Sequence, residues 1–197
     1  MNYGAATTNL IDAEQQSVLS KYSTVTQMWL LDSRLEAVML VSVILNAMAA
    51  GIIFIFSNTV MPSLATLDAD VAIPIMNKIN IVIVNPLFIL CFFGGLISAY
   101  PTIVLYKNPD DYSVQARYYA LASTLVFFFG EVLVTITQNV PRNNALLAVD
   151  PESEDGVSYW ENEFLKGWVA WNTTRCIFSV ISAFLGGLCL SFMRKSS

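Results

Sequence analysis

The chain has 197 residues, 55% of them hydrophobic and 13% charged, with 10 Lys and Arg against 15 Asp and Glu and no histidine. An average soluble domain carries roughly a quarter charged residues, so the composition points away from one. Without imidazole there is no Ser-His-Asp or Cys-His nucleophile and no His-ligated haem, zinc, copper or non-haem iron, and a net charge of -5 offers no basic face to nucleic acid. Carboxylates, amides, Arg, Tyr and Trp are left to carry any chemistry, and neither metal nor cofactor is expected.

In chain order, residues 1–33 form a polar to amphipathic segment without a cationic stretch ahead of an apolar core, so they do not read as a signal peptide. Leu10, Ile11, Val18, Leu19, Tyr22, Val25, Met28 and Trp29 recur at roughly helical spacing. This suggests either a helix at the membrane interface leading into the first span or a partly ordered tail. Residues 34–195 then read as a four-span transmembrane domain, because a bilayer needs about 20 apolar residues per helix and penalises ions inside it. The spans are expected at about 36–60, 79–106, 117–140 and 166–193. They lack the polar face of soluble bundle helices, so the expected fold is all-α, a membrane-embedded four-helix bundle running up-down-up-down. Cys91, Cys176 and Cys189 lie inside apolar stretches and read as packing residues. Asn46 lies in mid-span and is expected to bond across helices. DPESEDG, 150–156, reads as an exposed acidic loop.

Lys and Arg set orientation. Lys21, Arg34, Lys107, Arg117, Arg194 and Lys195 fall on one side, and Lys78, Arg142, Lys166 and Arg175 with most of the acids on the other. Both termini are therefore expected on the cytoplasmic-type side. Small residues four apart, Ala47 and Gly51, Gly95 and Ala99, Ser182 and Gly186, Ala183 and Gly187, allow close helix approach.

Polar and aromatic residues gather where spans one and two, and three and four, adjoin: Asn58; Asn77, Asn80 and Asn85; Gln138, Asn139, Arg142 and Asn143; Trp168, Trp171 and Asn172. At helical period Phe164, Trp168, Trp171, Asn172 and Arg175 share a face, as do Glu131, Thr135, Gln138 and Arg142, and Asn77, Asn80 and Val84. Amides facing lipid are costly, so these faces should converge on a cavity open to one side of the membrane, its lining residues serving as substrate-binding groups. Glu131 and Arg175 enter the spans themselves and are the catalytic candidates, as an intramembrane pair. A pair that only fixes helix register is the competing reading, and an interfacial belt is that for the tryptophans. Asn172-Thr173-Thr174 matches the glycosylation sequon but lies too near the membrane for modification.

Asn58-Thr59-Val60-Met61-Pro62, Met76-Asn77-Lys78-Ile79-Asn80 with Asn85-Pro86, Thr135 to Asn143, and Trp160, Phe164, Trp168 with Trp171 to Arg175 occur in an order that resembles the anthrone oxygenase-like membrane protein family. The resemblance covers roughly Val41 to Leu190 and implies a four-helix membrane fold. It also implies an activity for some members, oxidation of anthrones to anthraquinones. Two functions follow. One is a cofactor-free oxygenase of an anthrone-like or other lipophilic phenolic substrate, with Glu131 as base, Asn77, Asn80, Asn139, Asn172 and Arg175 stabilising the enolate, and Trp168 and Trp171 stacking on the rings. The alternative is a non-catalytic subunit of a larger membrane complex, or a binder of a lipid, pigment or quinone. Four spans without a broken-helix repeat make a transporter a poorer fit.

Overall fold

The computed structural model describes residues 3–193, with side chains from Gln15 onward; Leu10 and Ile11 as side chains, and Arg194 and Lys195 altogether, lie outside the described residues. Helices α1 (Tyr3–Ile55), α2 (Met61–Leu64), α3 (Ala69–Ile83), α4 (Pro86–Gly94), α5 (Ala99–Lys107), α6 (Val114–Phe127), α7 (Val140–Ala148), α8 (Glu154–Ser158) and α9 (Leu165–Phe192) account for most of the chain. Among the described residues there is no strand. Four helices are long and apolar enough to cross a membrane: Gln15–Leu64, Pro86–Lys107, Val114–Ala148 and Glu154–Phe192, here spans one to four. The fold is an all-α membrane-spanning one.

Residues 1–37 and 38–197 are separate compact units. In the first, Val18, Leu19, Tyr22, Val25, Met28 and Trp29 are all exposed on helical backbone. In the second unit, cross-span hydrogen bonds give the topology. Along span one, Asn46 Nδ2 donates to Ser182 Oγ at 3.0 Å and Asn172 Nδ2 to the Ile53 carbonyl at 2.8 Å. Numbers rise on one helix as they fall on the other, so spans one and four are antiparallel. Ser123 Oγ to the Ser182 carbonyl (2.8 Å) and Asn139 Nδ2 to the Trp168 carbonyl (3.2 Å) give the same sense for three and four. Asn77 Nδ2 of α3 to the Leu146 carbonyl (3.4 Å) and Ser98 Oγ of span two with Thr124 Oγ1 (2.8 Å) give it for α3 and span two, taken in succession, against span three. Up-down-up-down follows.

Glycine sets the closeness of the helices at one level. A Cβ on Gly94 would collide with Leu45 Cβ, and one on Gly95 with the Phe127 ring. The Ser42 hydroxyl bonds to the carbonyls of both glycines, at 3.0 and 3.1 Å, which takes up polar groups that lipid could not. Gly51 and Gly187, by contrast, would have nothing within 4 Å of an added Cβ, so those two members of the small-residue pairs do not serve packing within the chain. All three cysteines are buried and free.

The expected second span, continuous from 79 to 106, is interrupted. Helix α3 ends at Ile83, Val84 has ψ 70°, and α4 restarts at Pro86. Proline has no N–H to give and disfavours helix in the residue before it. The Asn85 carboxamide heals the break: its oxygen accepts from Leu87 N and Phe88 N, both at 3.1 Å, and its nitrogen donates to the Val82 and Ile83 carbonyls at 3.3 and 3.2 Å. The acidic loop also differs from expectation. Ser153 caps α8 by accepting from Gly156 N at 3.0 Å, and Glu154 and Asp155 sit in the first turn, where the helix dipole favours them. The chain is therefore helical from Glu154 into span four.

Candidate functional site

Four π-helical turns surround the place where the spans carry their polar residues: Phe56–Val60, Phe128–Leu133, Thr135–Asn139 and Tyr159–Phe164. A π turn bonds each N–H to the carbonyl five residues back and so holds more residues than the 3.6 of an α-helix. On span three this resets the inward face. Glu131 is 0% and Asn139 1% exposed, and Thr135, Asn139 and Asn143 line a cavity. The inward positions thus come four apart throughout, 131, 135, 139 and 143, and the expected continuation to Gln138 and Arg142 is displaced sideways. Those two bond to each other instead, Arg142 Nη1 to Gln138 Oε1 at 3.1 Å and to its carbonyl at 2.8 Å.

The cavity holds about 270 Å³ and is walled by Ile52, Ile53 and Phe56 of span one, Phe88 and Phe92 of α4, and Trp168 of span four. Asn80, Thr135, Asn139, Asn143 and Arg175 supply its polar groups. A charge in a membrane interior needs partners, and Arg175 has them. Its Nε and Nη2 both donate to Asn172 Oδ1, at 3.1 and 2.6 Å, and Nη1 donates to Thr135 Oγ1 at 3.0 Å. The guanidinium carbon lies 5.8 Å from the Trp168 ring centroid, within reach of a cation–π attraction. Five N–H hydrogens are available on a guanidinium, so two remain for a ligand. Asn172 is itself fixed to span one through Ile53 O and Ser57 Oγ, at 2.8 and 2.7 Å. With its amide so engaged and 0% exposed, the sequon has no acceptor to offer.

Glu131 and Arg175 do not form the direct pair expected from their positions. The carboxylate accepts from Ser179 Oγ at 2.7 Å, one turn deeper than the guanidinium, because the π turns bring Thr135 and not Glu131 level with Arg175. Arg175 donates to Thr135 Oγ1, which in turn donates to the main-chain carbonyl of Glu131 at 2.7 Å and not to its carboxylate. Glu131 Oε1 is buried and has no hydrogen-bond partner. Asn139 Oδ1 and Asn80 Nδ2, both on residues of the cavity wall, are in the same condition. A buried polar atom without a partner costs roughly 1–3 kcal/mol, and the two on the cavity wall, from Asn80 and Asn139, are open to a ligand's polar group.

Other candidates fall elsewhere. Asn77 is committed to the Leu146 carbonyl. Asn58 is exposed with only Thr59 Oγ1 at 3.5 Å, Asn85 is the cap of α4, and Trp171 is half-buried outside the cavity wall. Trp168 enters the wall with Nε1 tied to Asn143 Oδ1 at 2.7 Å. Ser179 escaped the sequence reading, although it lies four residues beyond Arg175 and so on the same helical face. The aromatic wall of α4 escaped as well, for lack of any pattern distinguishing inward from lipid-facing Phe.

The expected opening toward one membrane face is filled. Met61, Ile73, Met76, Leu146, Trp160 and Phe164 are all buried in one apolar cluster lying beyond the cavity on every helix, on the loop side. Trp160 stacks on Phe164 (5.4 Å, 16°) and Phe164 on Trp168 (5.9 Å, 23°). The reason is that α2, α3 and the lower turns of span four are amphipathic and fold their apolar faces inward.

No curated protein and no solved structure matches the chain. The polar wall from Asn80 to Arg175 nonetheless falls wholly within residues 78–185, the stretch that matches the family described as anthrone oxygenase. That match covers more than half of the 197 residues, and the chain belongs to the anthrone oxygenase family.

Proposed function

We propose that the chain is an oxygenase that binds a lipophilic aromatic ketone or phenol of the anthrone type in this cavity and oxidises it with molecular oxygen. The observation that carries the reading is Arg175, a guanidinium oriented by Asn172 and Thr135 with two N–H groups to spare, at the polar end of an aromatic cavity. A methylene flanked by aryl rings and conjugated to a carbonyl loses a proton to give an enolate, whose oxygen Arg175 and the neighbouring amides bind. Such pre-oriented donors in a water-poor site stabilise developing negative charge strongly. The enolate carbon then donates its electron pair to O2, a C–O bond forms, and the hydroperoxide loses water as the remaining C–H bond breaks; CH2 plus O2 becomes C=O plus H2O. Glu131, one helical turn from Thr135 of the cavity wall, is assigned the first proton, and Trp168 with Phe56 and Phe88 holds the rings.

Oxygen uptake with anthrone in membranes containing the protein tests this. Arg175→Ala should lower the rate about 100 to 1000 fold, and Glu131→Gln should lower it too; unchanged rates in both variants would overturn the assignment. The reading as a non-catalytic subunit has one observation in its favour, a shallow apolar groove between spans one and four floored by Ala47, Ala50, Gly51 and Ala183. A protein that purifies only within a larger assembly and takes up no oxygen would support that reading instead.

A further inference from the structure

We propose that the ligand of this cavity enters sideways from the bilayer, through the gap between the α3–α4 joint and the π-helical part of span three. The inference rests on the proposed site, and three observations carry it. The route along the bundle axis is blocked by the buried cluster of Met61, Ile73, Met76, Leu146, Trp160 and Phe164. The side wall is one residue thick: Val84 and Ile136 line the cavity and are at the same time 64% and 59% exposed on the outer surface, so no second layer of side chains lies between cavity and lipid. The surrounding outer surface is apolar, with Ile81, Val82, Leu87 and Val140 exposed, and a solute dissolved in hydrocarbon meets no charge before reaching the cavity.

The break in span two makes such a gap tolerable in lipid. Unpaired backbone groups at membrane depth are costly, and the Asn85 side chain takes up the carbonyls of Val82 and Ile83 and the amides of Leu87 and Phe88. The chain can therefore leave its helical path without leaving polar groups open. The occupant must combine a flat apolar body, to pass between Val84 and Ile136, with one oxygen acceptor for the spare N–H groups of Arg175. A membrane-dissolved aromatic ketone or phenol has that chemistry; a water-soluble anion lacks the body, and a saturated chain lacks the acceptor.

The test uses the full chain in lipid nanodiscs. Val84→Trp and Ile136→Trp fill the gap from its two sides, and Ile177→Trp, exposed on span four away from the cavity, is the control. With anthrone and oxygen, kcat/KM should fall about tenfold in each gap variant and by more than kcat does, since entry and not chemistry is hindered; the control should match the parent. Unaltered kcat/KM in both gap variants would overturn sideways entry while leaving the oxygenase reading intact. If the parent takes up no oxygen, that reading fails by itself and entry is still decided by alkylation. Anthrone should slow the reaction of N-ethylmaleimide with Val84→Cys and Ile136→Cys and not with Ile177→Cys; equal rates with and without anthrone would overturn the proposal.

Discussion

Asn172 ties three parts of the site together: its nitrogen holds span one through Ile53 O and Ser57 Oγ, and its oxygen holds the guanidinium of Arg175. Removing it would leave a buried carbonyl unpaired and a buried cation free to turn. Asn172→Ala should therefore lower both thermal stability in detergent, by an amount in the range of about 1–3 kcal/mol, and oxygen uptake. Arg175→Lys should behave much like Arg175→Ala, because an ammonium cannot reproduce the planar fork that meets Asn172 and Thr135 together. Asn58→Ala, at an exposed position bonded only to its neighbour, should leave stability within about 0.5 kcal/mol of the parent. Thermal unfolding and oxygen electrodes on the same preparations check all three, and an Asn172→Ala protein as stable and active as the parent would remove the asparagine from the site.

Among the helical elements, the glycines divide into those that fill and those that do not. A methyl on Gly94 meets Leu45 and one on Gly51 meets nothing. Gly94→Ala should cost about 1–3 kcal/mol through overpacking, seen as a lower unfolding midpoint in detergent, whereas Gly51→Ala should not lower it. A loss in Gly51→Ala that appears only at high protein concentration would show a partner on that face. Charge placement located the spans because the cost of ions in hydrocarbon is large and local. The faces of span four were legible because α9 keeps α-helical period from Trp168 to Ser182. On span three Gln138, Asn139, Arg142 and Asn143 are all candidates in the sequence, and helical period alone puts Gln138 and Arg142 on the face of Glu131, whereas Asn139 and Asn143 line the cavity, because π turns carry no sequence signature. Asn85-Pro86 does carry one, a capping residue followed by proline at the first helical position, but the apolar stretch running through it concealed the break.

Taken whole, the molecule is an even-span bundle whose polar interior is closed at its loop-side end by an apolar cluster. The extra length of α3, α7 and the Glu154–Ser158 turn therefore stands on one side of the membrane, with Asp150, Glu152, Glu154 and Asp155. The loop between α5 and α6, beside Lys107 and Arg117, stands on the other. Counted with Lys21, Arg34, Arg194 and Lys195 of the two terminal segments, Lys and Arg favour that second face, and we propose it as the cytoplasmic-type side. Cys91, Cys176 and Cys189 are buried, so a membrane-impermeant maleimide should find only introduced thiols. Asp111→Cys and Glu152→Cys, both exposed, should react from opposite sides of sealed vesicles, with Asp111→Cys labelled from the cytoplasmic face. Reversed labelling would invert the orientation and leave the bundle standing. Labelling of both from one side would break the up-down-up-down path itself, and with it the convergence of Asn80, Thr135, Asn139 and Arg175 on one cavity.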